Sequence, residues 1–220
     1  MLQAQIDAIF DLDGTLVDSA TQCELIIQEM RSDRGVHQPI AAELARQYSG
    51  IAGPIMVPAL LGEASADADA DLNEFRARYA ELRTPASSLY PGVAEGLERL
   101  LKTGVRLSIC SAKPQNLCER VLADTGILDG FSVIYGGDRA EACKPDRRHL
   151  LETLKAAGGS AERALLIGDS ETDRQLAKNA QVPFAFVTYG YAPADHTIEA
   201  EWTADTFEAA VSAIMQFAGR

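Results

Sequence analysis

Ile6-Asp7-Ala8-Ile9-Phe10-Asp11-Leu12-Asp13-Gly14-Thr15 is the stretch whose reading decides the fold. A short apolar run that ends in an Asp-Gly turn predicts a buried strand running into an acidic loop. The next such run is Val105–Cys110, far down the chain. From there the alternation is regular. A helix is expected over 115–124, stopped by Gly126, then a strand over 131–135 ended by Gly136-Gly137. A helix starts near Pro145 and stops at Gly158-Gly159, and a strand over 164–167 meets Gly168-Asp169. A helix over 171–179, a strand over 184–188 and a helix over 206–217 complete the series. Strands alternating with helices of this length predict an α/β core, a mostly parallel sheet with helices on both faces.

The segment between the first two strands breaks that rhythm. Leu72, Phe75, Tyr79 and Leu82 share one helical face, and Leu25, Ile26 and Met30 suggest another helix ending near Gly35. Gly50, Gly53 and Pro54 mark a loop, and Pro58 a second break or a new helical turn. The run Ala64–Asp71 reads as a solvated loop. Residues 18–86 are therefore expected to form a small helical domain inserted into a core built from 1–17 and 87–220. Residues 87–92 make the return.

Composition narrows the function. The 220 residues carry 20 Lys+Arg against 32 Asp+Glu, a formal net charge of -12, which argues against a nucleic-acid partner. No apolar run approaches the ~18 residues a membrane span needs. The first residues lack the basic start and apolar stretch of a signal peptide, so a cytoplasmic location is the expectation. Cys23, Cys110, Cys118 and Cys143 show no C-x-x-C spacing, and His37, His149 and His196 are scattered, so neither zinc nor disulfides are expected. Trp202 reads as a packing residue. No heptad run marks a dimer surface, and the oligomeric state stays open.

In open parallel sheets, ligands sit at the carboxyl ends of the strands. Asp11 and Asp13 follow the first predicted strand, Ser111 the second, Lys144 lies beyond the third, and Asp169 and Asp173 follow the fourth. Carboxylates alone repel a phosphate. A hard dication with oxygen ligands reverses that, and Mg2+ is the usual choice beside substrate phosphates. Lys144 adds a fixed positive charge, and Ser111 can donate to a phosphate oxygen. The set describes a phosphate site with a divalent metal.

Asp11-Leu12-Asp13-Gly14-Thr15-Leu16-Val17-Asp18-Ser19, Ser111 after a strand, Lys144-Pro145 and Gly168-Asp169-Ser170-Glu171-Thr172-Asp173 resemble, in order, the four motifs of the haloacid dehalogenase-like hydrolases. The insertion after the first motif, and Tyr90-Pro91-Gly92-Val93 at the return, resemble the subgroup that holds phosphoglycolate phosphatases, β-phosphoglucomutases and phosphonatases. The resemblance implies a Rossmann-like core with a helical cap that closes over the substrate. It implies Asp11 as the nucleophile that forms an aspartyl-phosphate, and Asp13 as the acid and base. It implies Mg2+ held by Asp11, Asp169 and the backbone carbonyl of Asp13. Asp173 would support the metal from behind or orient Lys144. Ser111 and Lys144 would bind the transferring phosphoryl group, with Gly14, Thr15, Ala112 and Lys113 also lining the substrate.

Branches of the resemblance can be pruned. Dehalogenases of this type need neither the metal nor a second aspartate, so Asp13 and Asp169 favour phosphoryl chemistry. Phosphonatases use a cap lysine, and the first lysine here is Lys102, beyond the insertion. Ser111-Ala112-Lys113-Pro114 is similar to phosphoglycolate phosphatases and related nucleotidases, with Ala112 where a Ser or Asn is usual. Residues 19–86 hold ten acids and six arginines, which is no basic funnel, so a small phosphomonoester is expected. Tyr48–Gly53 is the expected substrate-facing loop, with Arg46 a candidate for a substrate carboxylate. The leading expectation is a Mg2+-dependent phosphatase of small phosphorylated metabolites, resembling phosphoglycolate phosphatases. A 5'-nucleotidase specificity, a β-phosphoglucomutase-like phosphomutase and a catalytically silent binding protein stay open beside it.

Overall fold

The computed structural model describes residues 5–48, 50–193 and 198–219, except the side chains of Glu43, Arg46 and Gln47. Two compact units divide the chain, one from residues 1–18 and 86–220, the other from 19–85.

The first unit is a six-stranded sheet: β1 (Asp7–Phe10), β2 (Arg106–Cys110), β3 (Val133–Tyr135), β4 (Ala164–Gly168), β5 (Phe184–Val187) and β6 (Trp202–Ala204). The order is β3-β2-β1-β4-β5-β6, and every pairing is parallel. The order reverses direction at β1, so β1 is central and its carboxyl end lies at the switch point where α/β sheets bind ligands. All four β1 residues are buried. Asp7 is the one charge there, and its carboxylate takes two guanidinium hydrogen bonds from Arg106, from Nε at 2.5 Å and Nη2 at 3.1 Å. Two charges leave water together with their hydrogen bonds made, which limits the desolvation cost.

Helices cover both faces. Ile9, Leu166, Phe184 and Phe186 share a core cluster with residues of α7 (Arg147–Ala157) and α8 (Glu171–Ala180). One residue on in β1, Phe10 points the other way and meets Phe207 of α9 (Phe207–Ala218), ring centroids 6.0 Å apart. This is the period-two alternation of a strand buried on both sides. Helix α5 (Val93–Lys102) packs against α9 through Gly96, where a Cβ would come within 2.6 Å of the Phe207 ring. Helix α6 (Gln115–Asp124) follows β2 and contacts β3.

Two elements of this unit escaped the sequence reading. Helix α5 begins just after the return segment, at a left-handed Gly92, and was not anticipated as a helix. Strand β6 is three residues long, too short to leave a periodic signal. Its Trp202 packs edge-on to Phe217, the packing role expected of it.

The second unit is helical: α1 (Ala20–Asp33), α2 (Ala42–Tyr48), α3 (Gly53–Leu61) and α4 (Ala68–Glu81). Leu72, Phe75 and Tyr79 form the buried face of α4, but Leu82 lies past its end and is exposed. The helix also starts earlier than expected. Asp67 caps it, accepting the Asp69 and Ala70 N–H groups at 3.0 Å, so the expected loop over 64–71 ends in a helical turn. Gly53 and Pro54 begin α3 rather than a loop, and Pro58 sits inside it. Arg34 ties α1 to α4 through the buried Asp71 carboxylate at 2.5 Å and Glu74 at 2.6 Å. Burial alone would raise the Asp71 pKa, but hydrogen bonds from Ser65 and Arg34 hold it below the usual carboxylate value. No helix among the described residues is long and apolar enough to cross a membrane.

His149, fully buried in α7, has Nε2 3.3 Å from the Tyr135 carbonyl. Burial, and then the nearby Lys144 charge, push its pKa down to about 4. The unfolded imidazole titrates near ~6.5. Between those values the unfolded chain binds the extra proton, so acid removes stability as pH falls from ~6.5 to about 4, with no contribution above. His149→Gln is expected to flatten that part of the melting temperature–pH curve. Parallel curves for the two proteins would show that the imidazole does not titrate on unfolding.

Candidate active site

The site is assembled at the carboxyl ends of β1, β2 and β4 and the loop beyond β3. The β1 end turns sharply: Gly14 has φ +81°, and the Leu16 and Val17 N–H groups both bond the Leu12 carbonyl. A non-glycine residue resists that φ. Here space forbids one as well, because a Cβ on Gly14 would lie 2.2 Å from Asp169 Oδ2. The turn therefore brings the β1 and β4 loops into contact.

Lys144 is the centre of charge. Its ammonium lies 3.0 Å from Asp11 Oδ1 and 2.6 Å from Asp173 Oδ1, with its side chain only 3% exposed. Burial works against that charge, but Asp11 and Asp173 outweigh it and hold the ammonium above the ordinary lysine range. Asp173 stands in the first turn of α8 in a reciprocal cap with Ser170: Ser170 N–H and Oγ–H donate to its Oδ2, and its own N–H donates to Ser170 Oγ. The cap fixes Asp173, and Asp173 fixes Lys144.

Asp11, Asp169 and Asp173 each present a carboxylate oxygen within 4.8 Å of the others. Burial, with Lys144 opposing it and Asp173 and Asp13 adding to it, pushes the Asp11 pKa up to about 7. Asp169 is likewise raised well above its ordinary value by burial and by the Asp173 and Asp11 charges. Three carboxylates face one ammonium, so negative charge is in excess. A site of carboxylate oxygens with that imbalance suits a hard divalent cation. Asp169 is held for such a role: Thr15 Oγ1 donates to its Oδ1 at 3.3 Å and the Tyr191 N–H to its Oδ2 at 2.7 Å.

The other residues singled out in the sequence occupy varied places. Asp13 lies outside it, paired with Lys113, whose Nζ is 2.9 Å from Asp13 Oδ1. Ser111 is buried, and its Oγ accepts the Lys113 N–H at 3.2 Å. Ala112 is exposed, its backbone against Gly137, where a Cβ would meet the Ala112 carbonyl at 2.6 Å. His37 is exposed and His149 is a core residue. Arg46 is a side chain outside the described set, Ser49 of the expected substrate-facing loop lies outside it entirely, and so does His196.

Sequence reasoning missed the loop after β5. Tyr189 donates its hydroxyl to the Thr15 carbonyl at 2.9 Å, and Tyr191 donates its N–H to Asp169. A Cβ on Gly190 would lie 2.3 Å from Asp169 Cβ and 2.4 Å from the Gly14 carbonyl. Glycine between two aromatics at the end of a strand was the available signal. The contribution is made partly by a backbone N–H, which no residue type announces.

The family model for haloacid dehalogenase-like hydrolases matches residues 8–187. A phosphoglycolate phosphatase of Rhodobacter capsulatus is 35% identical over 189 residues, 83% of this chain and 84% of that protein. One of Agrobacterium fabrum is 33% identical over 215 residues, 95% of this chain and 92% of that protein. A solved structure described as a predicted phosphoglycolate phosphatase of Haemophilus somnus superposes with a TM-score of 0.80 at 27% identity, covering 98% of this chain and 100% of that one. The chain belongs to the haloacid dehalogenase-like hydrolase family. Within that family it is a phosphatase.

Gly190→Ala forces a methyl group into the Asp169–Gly14 contact, an overpacking that costs about 1–3 kcal/mol. Its urea midpoint is expected to fall, whereas Gly219→Ala, with its nearest neighbours 3.7 Å from the new Cβ, leaves the midpoint unchanged. Equal midpoints for Gly190→Ala and the parent would mean that the loop yields freely.

Proposed function

We propose that the protein is a Mg2+-dependent phosphatase of small phosphomonoesters, with 2-phosphoglycolate its leading substrate, and that it acts through an aspartyl-phosphate on Asp11. The observation that carries this reading is the Asp11–Lys144–Asp173 bridge beside Asp169: a carboxylate at the switch point of the sheet, next to one buried ammonium and two further acids. The relatives' names support the substrate.

A carboxylate oxygen of Asp11 attacks phosphorus as the bond to the leaving oxygen breaks. Asp13 gives its proton to that oxygen. Asp13 then takes a proton from water, which attacks phosphorus and frees inorganic phosphate and the Asp11 carboxylate. Lys144 and Ser111 meet the phosphoryl oxygens and stabilise charge that is largest in the transition state. Lys113, paired with Asp13, adds a second positive charge for a substrate anion. Asp173 acts through Lys144 as its anchor. Asp11, Asp169 and the Asp13 carbonyl would hold Mg2+, which supplies charge neutralisation for the incoming phosphate. The helical unit of residues 19–85 is, by the family resemblance, the part that would choose the leaving group.

Phosphate release is measured from 2-phosphoglycolate, nucleoside monophosphates, sugar phosphates and an aryl phosphate, with Mg2+ or with EDTA. Release is expected with Mg2+, to vanish with EDTA, and to fall about 10^4-fold or more in Asp11→Asn. Full activity in Asp11→Asn or in EDTA would overturn the mechanism. Preference for another panel member would replace the substrate. Conversion of glucose 1-phosphate without phosphate release would replace hydrolysis by phosphoryl migration.

A further inference from the structure

Tyr191 is connected at each end and at its middle. Its backbone N–H holds Asp169 Oδ2 at 2.7 Å. Its ring crosses Gly14 so closely that a Cβ there would come within 2.8 Å of Tyr191 Cδ2. Its hydroxyl donates to Asp18 Oδ1 at 3.0 Å and shares a hydrogen bond with Tyr90. Tyr90 in turn packs against Tyr189 with the rings tilted by 53° and their centroids 4.7 Å apart, and Tyr189 holds the Thr15 carbonyl.

Asp18 and Tyr90 belong to the two segments through which the chain leaves and re-enters the core. Those segments are paired to each other: Asp18 N–H bonds the Ser88 carbonyl at 2.8 Å, Tyr90 N–H bonds the Leu16 carbonyl at 3.0 Å, and Val17 bridges Leu89. Tyr191 thus joins this pair to the carboxylate of Asp169. The two hydrogen bonds on Asp169 fix its rotation, and one of them depends on where residue 191 stands.

We infer that Tyr191 is a positioning residue for cation binding: its hydroxyl, anchored on Asp18, holds the loop after β5 so that its N–H keeps Asp169 aimed at the Asp11–Asp173 cluster. This rests on the proposed role of Asp169 as a metal ligand. Supporting partners one step removed from a metal ligand are worth about 10–100-fold in metal affinity. The anchored hydroxyl is one of three attachments, so the loss of it alone belongs at the lower end of that range.

The test is Mn2+ binding to the substrate-free full chain, followed by electron paramagnetic resonance of the free ion. The parent is compared with Tyr191→Phe, Asp18→Ala and Asp18→Asn, and Asp169→Asn serves as the reference for loss of a ligand. Tyr191→Phe keeps the ring and the N–H, so the fold is expected to survive. The Mn2+ dissociation constant is expected to rise about 10-fold in Tyr191→Phe and Asp18→Ala. Asp18→Asn retains an acceptor for the hydroxyl and should recover most of the loss. A purely structural role would lower the melting temperature of these variants with unchanged Mn2+ affinity, and that result overturns the inference. A parent that binds no Mn2+, or binds it equally well as Asp169→Asn, overturns the metal role of Asp169 and this inference with it. A parent that binds while all three Tyr191 and Asp18 variants bind equally overturns this inference alone.

Discussion

The ammonium of Lys144, held between Asp11 and Asp173 out of contact with water, is the interaction on which the site depends. Desolvating an ammonium or a carboxylate alone costs several kcal/mol. Each charge is tolerable only beside the others. Lys144 comes from the loop beyond β3, Asp11 from β1 and Asp173 from α8, so three separate stretches of chain must arrive together. The parallel sheet meets that demand because it delivers its strand ends to one edge. The Ser170–Asp173 cap then removes the remaining rotational freedom of the anchoring acid.

The compensation is incomplete by design of the residue set. One ammonium cannot balance Asp11, Asp169 and Asp173, and the raised pKa values of Asp11 and Asp169 express the shortfall. A cation and a dianionic phosphate arriving together change the balance less than either alone. Under the proposed reaction the excess of negative charge suits the site to taking both together, in keeping with the general rule that perturbed carboxylates collect at functional sites.

Much of this could be read from the chain. The Asp11–Thr15 turn, Lys144 and the Asp169–Asp173 pair carry chemistry in their side chains, and the strands that position them are apolar runs closed by glycine. What was not read falls into two groups. Strand β6, three residues long, left no periodic signal, whereas helix α5 carried one, with Val93, Leu97 and Leu100 at i, i+4 and i+7 on its buried face, that the sequence reading passed over. The second group acts through geometry and not through residue type. Gly190 matters because two backbones and an aspartate crowd it, and Tyr191 because its N–H faces Asp169. Such contributions become visible only when residues 14, 169 and 190 are seen in contact.

The acid Asp13 sits apart from the Lys144 cluster, in its own pair with Lys113. That separation has a chemical reason under the proposed reaction. Lys144, Asp169 and Asp173 keep their charge through both steps of that reaction, whereas Asp11 loses and regains its charge as the nucleophile and Asp13 changes its charge as the acid and base. Asp13 still stands close enough for its charge to help raise the Asp11 pKa, so its pairing with Lys113 tempers the coupling between the two acids without abolishing it. Lys113 gives Asp13 a cationic partner other than Lys144. Two lysines then share the work of a two-step phosphoryl transfer: Lys144 balances the nucleophile and its anchoring acid, and Lys113 balances the acid and base.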